Sequence, residues 1–246
     1  MSVENPFQLE GKTILITGAS SGIGREAAIT ITRNGGNVII TGRNQQRLQE
    51  TYHSLERDGH LSFEADLTDL QEITSIADQL PELDGIVFSS GITGHLPAKF
   101  IGENDITSFF RINYQAPVLL TSRILKNKKL KNKASVIFLS SVASRFPYYG
   151  GALYASTKAA LEAYSRVLAI ELAPKGIRSN CISSSFVKTQ MRQGAAVTIS
   201  EEVLQKFEKM MPLGFGETAD VANAIIFLLS DASRWVTGTN LILGGG

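Results

Sequence analysis

Thr13-Ile14-Leu15-Ile16-Thr17-Gly18-Ala19-Ser20-Ser21-Gly22-Ile23-Gly24 is the stretch that decides the fold. Its first five residues form an apolar run of strand character, and Arg25 to Asn34 behind it reads as helix. A glycine-rich turn between a buried strand and a helix start exposes main-chain N–H groups at the positive end of the helix dipole. That is an anion site suited to a dinucleotide pyrophosphate, and Gly18, Ser20, Ser21, Gly22, Ile23 and Gly24 are its candidate residues. The spacing is G-x-x-x-G-x-G, one residue longer in its first gap than G-x-G-x-x-G. Gly18 would permit the sharp turn, Gly22 close approach of the cofactor, and Gly24 tight packing of helix on strand. Glycine turns also occur where nothing binds. Here the turn heads an alternating α/β pattern near the N-terminus, which favours the nucleotide reading.

Outward from this turn, short apolar runs alternate with longer helical patterns. Strands are expected at 12–17, 36–41, 60–65, 84–89, 134–140, 177–183 and 239–243. Helices are expected at 22–34, 44–58, 69–80, 103–127, 152–174, 200–211 and 217–230. The strands are rich in Val, Ile, Leu and Phe without polar alternation, as expected when helices cover both faces. The pattern points to an α/β doubly wound parallel sheet with right-handed crossovers, in one domain over 1–246. Asn44 and Thr68 or Asp69 read as helix N-caps, and Lys175-Gly176 as a helix stop.

Composition narrows the classes. Of 246 residues, 43% are hydrophobic and 19% charged, which suits a globular chain with a substantial core. A net charge of +1 provides no global attraction to nucleic acid or an anionic membrane. The single cysteine, Cys181, excludes an intrachain disulfide and fits a reducing compartment. Met1 to Glu10 lacks signal-peptide character, and no apolar run is long enough to span a bilayer, so a cytoplasmic protein is expected. His53, His60 and His95 lie on unlike elements, and no metal site is expected.

Chemistry concentrates in Tyr154-Ala155-Ser156-Thr157-Lys158, at the start of the helix expected over 152–174. A separation of four residues puts Tyr154 and Lys158 on one helical face. A phenol of pKa ~10 is a poor base at neutral pH, and a neighbouring ammonium or a cationic ring would favour its ionised form. Alone, Tyr-x-x-x-Lys also describes a solvated helix face. Ser140-Ser141 gives it force, because parallel sheets place their ligands at strand carboxyl ends. Ser141 lies thirteen residues before Tyr154, so one loop can bring hydroxyl and phenol to the same oxygen.

The ordered set Thr17 to Gly24, Asp66, Asn113, Ser141, Tyr154, Lys158 and Thr237-Gly238 resembles the short-chain dehydrogenase/reductase family over essentially the whole chain. The resemblance implies a Rossmann-type sheet of seven strands and NAD(P)-dependent interconversion of a carbonyl and an alcohol. By position, it implies that Ser141 hydrogen-bonds the substrate oxygen and Tyr154 exchanges its proton. Lys158 would hold the nicotinamide ribose and depress the Tyr154 pKa, and Asn113 would anchor a water in a relay to Lys158. It further implies that Asp66-Leu67 meets the adenine, Gly91 the adenosine ribose, and Val187 and Thr189 the carboxamide and pyrophosphate. Asp66 equally suits a helix N-cap, and Asn113 a local backbone contact.

An NAD-binding fold usually ends its second strand on Asp or Glu, which binds the ribose 2′-OH. Here Gly42 takes that place and Arg43 follows, so NADP(H) is favoured. Two departures from the family stand out: Ser89-Ser90-Gly91 replaces Asn-Ala-Gly, and Ser184-Ser185 replaces Pro-Gly. The first removes a supporting asparagine. The second exchanges a rigid, proline-shaped loop over the nicotinamide for a more variable one.

Thr93-Gly94-His95, Phe146 to Gly150 and Met191 to Phe215 are expected to frame a small-molecule carbonyl substrate. A lid around 186–215 would include Phe207, Met210, Met211 and Phe215, unless these simply pack a helix onto the domain. Lys126, Lys128, Lys129, Lys131 and Lys133 read as a solvated helix end or, with Lys175, as a receiver for an acidic carrier protein. The latter is in line with similar 3-oxoacyl-acyl-carrier-protein reductases. A homodimer or homotetramer is expected from the family and from the alanines of helix 152–174. An NADP(H)-dependent reductase leads; an alcohol or sugar dehydrogenase and a low-turnover NADP sensor are the alternatives.

Overall fold

The computed structural model describes residues 5–189 and 201–245 of the chain. Its centre is a parallel sheet of seven strands: β1 (Thr13–Thr17), β2 (Asn37–Gly42), β3 (Leu61–Glu64), β4 (Leu83–Phe88), β5 (Leu130–Ser141), β6 (Arg178–Ser184) and β7 (Asn240–Leu243). Their spatial order is β3-β2-β1-β4-β5-β6-β7. The order reverses between β1 and β4, which opens a crevice at the carboxyl ends where a Rossmann-type sheet receives its ligand.

Side-chain alternation explains the uniformly apolar strands. Leu15 and Ile39 face one core, while Ile14, Ile16, Val38 and Ile40 face the other. The first core is closed by α3 (Leu70–Gln79), α5 (Ala116–Lys126) and α6 (Ala152–Leu172), and the second by α1 (Gly22–Arg33), α2 (Gln45–Tyr52) and α8 (Thr218–Leu229). Phe138 is fully buried and stacks on Phe88 at a centroid distance of 4.9 Å. Each such side chain contributes about 1.5–3 kcal/mol of burial, so the sheet positions the site rigidly. Asn44 caps α2 by accepting from the Arg47 N–H at 2.9 Å, and Asp69 caps α3 from Gln71 at 2.7 Å. Gly176 turns the chain at φ 68° between α6 and β6.

Three boundaries differ from expectation. The helix expected over 44–58 stops at Tyr52, because the following turn passes through Arg57 at φ 75° and its Glu56 N–H is held by the Thr32 hydroxyl. β5 begins at Leu130 rather than 134, with Lys133 at φ 65° and a register irregularity against β4. The helix expected over 103–127 is split into α4 (Glu103–Phe110), a π-helical turn (Arg111–Gln115) and α5. Pro117 explains the break: it has no N–H to give the Asn113 carbonyl in an α-helical register. The remaining described helix, α7 (Glu201–Met210), precedes α8. Among the described residues, no helix is long and apolar enough to cross a membrane.

Candidate active site

The glycine turn is built as its sequence demands. Gly18 stands at φ 69°, and a Cβ there would lie 2.8 Å from the Ser90 nitrogen on the loop after β4. A Cβ on Gly24 would lie 2.4 Å from the Gly18 carbonyl oxygen, so the first turn of α1 packs directly on the chain leaving β1. Gly22, at φ 55°, has the Thr189 methyl 3.5 Å from its would-be Cβ. That brings the segment after β6 over the turn. Ser21 makes no side-chain cap, and the first turn of α1 holds no acidic residue. The N–H groups there are thus left to an anionic group, the electrostatic fit expected for a pyrophosphate.

Support lost with the family's asparagine comes from β1 instead. The Thr17 hydroxyl accepts from the N–H of Ser89 at 3.2 Å and of Ser90 at 3.3 Å. The Ser184-Ser185 segment is likewise held by main-chain bonds. Ser184 pairs with Ser141 and Leu243, the Ser185 N–H donates to the Leu243 carbonyl at 2.8 Å, and Val187 bridges Gly216. The ladder thus does what proline rigidity would have done.

Ser141, at the carboxyl end of β5, stands close enough to Tyr154 on α6 for its hydroxyl to favour the ionised phenol. Its Oγ also accepts from the Ala143 N–H at 3.2 Å and lies 3.5 Å from the Ser184 carbonyl. Burial raises the Tyr154 pKa above its usual 10, and the Ser141 contact only partly opposes this. Desolvation is the largest influence on the phenol. The Lys158 ammonium lies over the Tyr154 ring, 5.6 Å from its centroid.

Lys158 is 6% exposed, donates to the Leu139 carbonyl at 2.8 Å, and is pushed by burial to a pKa of about 8. A Cβ on Gly91 would stand 3.0 Å from Asn113 Oδ1 and 3.5 Å from Lys158 Nζ. These three positions meet in a cradle that a side chain at 91 would fill. The Asn113 amide is fully used. It accepts from the Ile92 N–H at 2.8 Å and donates to the Ile92 carbonyl at 3.0 Å and the Thr157 hydroxyl at 3.1 Å. This is a tertiary clamp between the β4 loop and α6, not a contact with its own helix.

At the far end of the crevice, Arg43 reaches Asp66 at 4.0 Å, both side chains being partly exposed. Burial opposes ionisation of Asp66, but the N–H and hydroxyl of Thr68, with Arg43 and Arg111, outweigh it and hold its carboxyl below the usual range. Asp66 thus also shapes the start of α3. Leu67 is buried in the core beneath. The two segments expected to frame the substrate meet: the Tyr148 hydroxyl donates to the Gly94 carbonyl at 3.0 Å, and His95 stacks on Tyr148.

Of the expected lid, residues 190–200 and the Phe207 side chain lie outside the described residues. Phe215 is buried against Phe186 at 5.2 Å between ring centroids, so it is packing, whereas Met210 is 76% exposed. The lysine cluster sits at the wrong end of the sheet for a carrier bringing substrate. Lys128 and Lys131 line a shallow hollow with Lys175 and Glu82 at the start of β5. Ser141 ends that strand, about 30 Å away at ~3.3 Å per residue.

Sequence reasoning missed Glu162. It lies one helical turn beyond Lys158, is 6% exposed, and accepts from the hydroxyls of Ser140, Ser144 and Ser183. The signal was available as the i, i+4, i+8 series of Tyr154, Lys158 and Glu162 beside two serine-rich strand ends.

A family model described as enoyl-(acyl carrier protein) reductase matches residues 18–246. The chain is similar to the 3-oxoacyl-acyl-carrier-protein reductase of Rickettsia felis, with 32% identity over 98% of each chain. It is similar also to dehydrogenase/reductase SDR family member 6 of Rattus norvegicus, with 30% identity over 97% of this chain and 98% of the relative. A solved structure from Brucella melitensis, described as a short-chain dehydrogenase/reductase of the glucose/ribitol dehydrogenase type, superposes with a TM-score of 0.89. It shares 29% identity and covers 98% of both chains.

Proposed function

This chain belongs to the short-chain dehydrogenase/reductase family, and on that premise we propose that it reduces a ketone or 3-oxoacyl thioester at the expense of NADPH. The observation that carries this reading is the meeting of Ser141, Tyr154 and Lys158 at the carboxyl ends of β4 to β6, beside the bare Gly91. When bound, the nicotinamide supplies the hydride. Ser141 and Tyr154 donate hydrogen bonds to the carbonyl oxygen as charge gathers on it, and the neutral phenol of Tyr154 delivers the proton. Lys158 holds the nicotinamide ribose and keeps a positive charge beside the phenol. Asn113 anchors a water relay to Lys158 through its main-chain carbonyl, because its amide is already committed to Ile92 and Thr157.

NADPH is preferred over NADH because β2 ends on Gly42, where a Cβ would already lie 3.2 Å from Ser20, so position 42 presents no carboxylate to a 2′-phosphate. Arg43 leaves a loose, partly exposed partner at 4.0 Å, which costs little. The purified protein should oxidise NADPH with a 3-oxoacyl thioester or an activated diketone, and do so at least about tenfold faster than NADH, one charge-assisted contact being worth that much. Tight NADPH binding without turnover across that panel would select the sensor reading instead. Val167 and Ile170 of α6, 52% and 76% exposed, are apolar faces that a homodimer or homotetramer would cover. Light scattering should give a multiple of the chain mass, and a monomer at micromolar concentration would refute the assembly.

A pH dependence follows from Lys158. Burial lowers its pKa from 10.5 to about 8, so the ammonium persists below that pH and is lost above it. The reduction rate should therefore fall as pH rises through about 8. Stability should not fall with it: between about 8 and 10.5 the unfolded chain binds the extra proton, so this group adds stability as pH rises. A flat rate profile to pH 10 would contradict the role of the charge.

A further inference from the structure

We propose that Glu162 is a positioning residue that holds the catalytic hydroxyl of Ser141 in register with Tyr154, acting through three serines; this rests on the reading of the site just given. One carboxylate oxygen, Oε1, accepts from Ser140 Oγ at 2.8 Å, Ser144 Oγ at 2.5 Å and Ser183 Oγ at 3.1 Å. These serines belong to the segments that surround Ser141. Ser140 precedes it on β5, and Ser144 lies in the turn after it, with its hydroxyl also 2.9 Å from the Ser141 carbonyl. Ser183 precedes Ser184, whose carbonyl is 3.5 Å from Ser141 Oγ. The carboxylate itself rides on α6, the helix that carries Tyr154 and Lys158.

A carboxylate is an expensive choice for such a buried place. An aliphatic side chain would fill the volume without desolvating a charge, but it would strip three buried hydroxyls of their acceptor. Oε1 gathers the end of β5, the turn after it and the end of β6 at once, and a carboxylate's charge strengthens each of these bonds beyond what a neutral amide oxygen would give. Among the described residues, Arg145 forms the ion pair with Glu162, and it reaches Oε2 only at 4.0 Å and is half exposed. The serine clasp is thus the main partner of the charge. Ser140 and Ser183 are 4% and 1% exposed, so the clasp is internal and does not itself touch substrate.

Glu162→Gln keeps the shape and removes the charge. It should lower kcat by about tenfold or more with KM for NADPH within about twofold, as expected when a reacting group is misplaced by a fraction of an ångström. Ser183→Ala, which removes one donor and keeps the carboxylate, should lose less in the same direction. In a Ser141→Ala background both losses should vanish, because the effect passes through Ser141; equal losses in both backgrounds would mark a general structural role and overturn the proposal. A second readout needs no turnover. Titrated by ultraviolet difference against Tyr154→Phe, the Tyr154 phenol should ionise at a higher pH in Ser183→Ala, which keeps the carboxylate charge, as the Ser141 contact slackens. An unchanged titration overturns the clasp even if no carbonyl substrate is turned over, so failure of the reductase reading and failure of this proposal are told apart.

Discussion

Tyr154→Phe removes one oxygen and should lower kcat for carbonyl reduction by about 10³-fold, the range for loss of a general acid. The phenol is largely buried on α6 beside Ser141, and burial raises its pKa above its usual 10. At neutral pH it is therefore a proton donor, which is what reduction needs. Phenylalanine fills the same space, so the melting temperature and the affinity for NADPH should stay near those of the wild type. Isothermal titration for binding and initial rates for turnover separate the two. Activity within tenfold of wild type would remove Tyr154 from the chemistry and leave Ser141 and bulk water as the only donors.

Gly24→Val should have the largest effect on the fold. The added Cβ would stand 2.4 Å from the Gly18 carbonyl oxygen and 3.1 Å from Ser89 Oγ, with no room on either side of the turn. Overpacking of this kind costs about 1–3 kcal/mol or more, which for a chain of this size means a melting temperature lower by roughly 4–10 °C. NADPH affinity should fall by at least about tenfold, because the turn that aims the N–H groups of α1 must shift to admit the side chain. Gly102→Ala is the control. Its Cβ meets nothing closer than 3.6 Å, and its effect should stay within about 1 kcal/mol. Similar losses in both variants would show that the glycine turn is not the tight joint described above.

Much of this was legible in the sequence. Seven apolar runs became seven strands, since a sheet covered on both faces leaves no polar alternation to obscure them. The glycine turn was equally clear, because Gly18 and Gly24 each answer a steric demand that no other residue meets. What escaped was cooperative. The π-helical turn at Arg111–Gln115 breaks a pattern that periodicity alone reads as continuous, and only Pro117 hints at it. The role of Thr17 in replacing the missing asparagine depends on the pairing of β1 with β4, seventy-one residues apart at Thr17 and Phe88. Glu162 escaped for the same reason: its three serines come from two strands and a turn, so no local window contains them. The rise in the Tyr154 pKa also could not be read from a motif, because it reflects how deeply the phenol is buried.

The most direct measurement is isotopic. Purified protein is incubated with NADPH deuterated at the transferable position and a 3-oxoacyl thioester or diketone, and the product is weighed by mass spectrometry. One deuterium on the carbinol carbon, present with the wild type and absent with Tyr154→Phe, is the expected result. Bound NADPH that stays unoxidised with every carbonyl offered, or an alcohol formed without label, would contradict a hydride-transfer site built from Ser141, Tyr154 and Lys158.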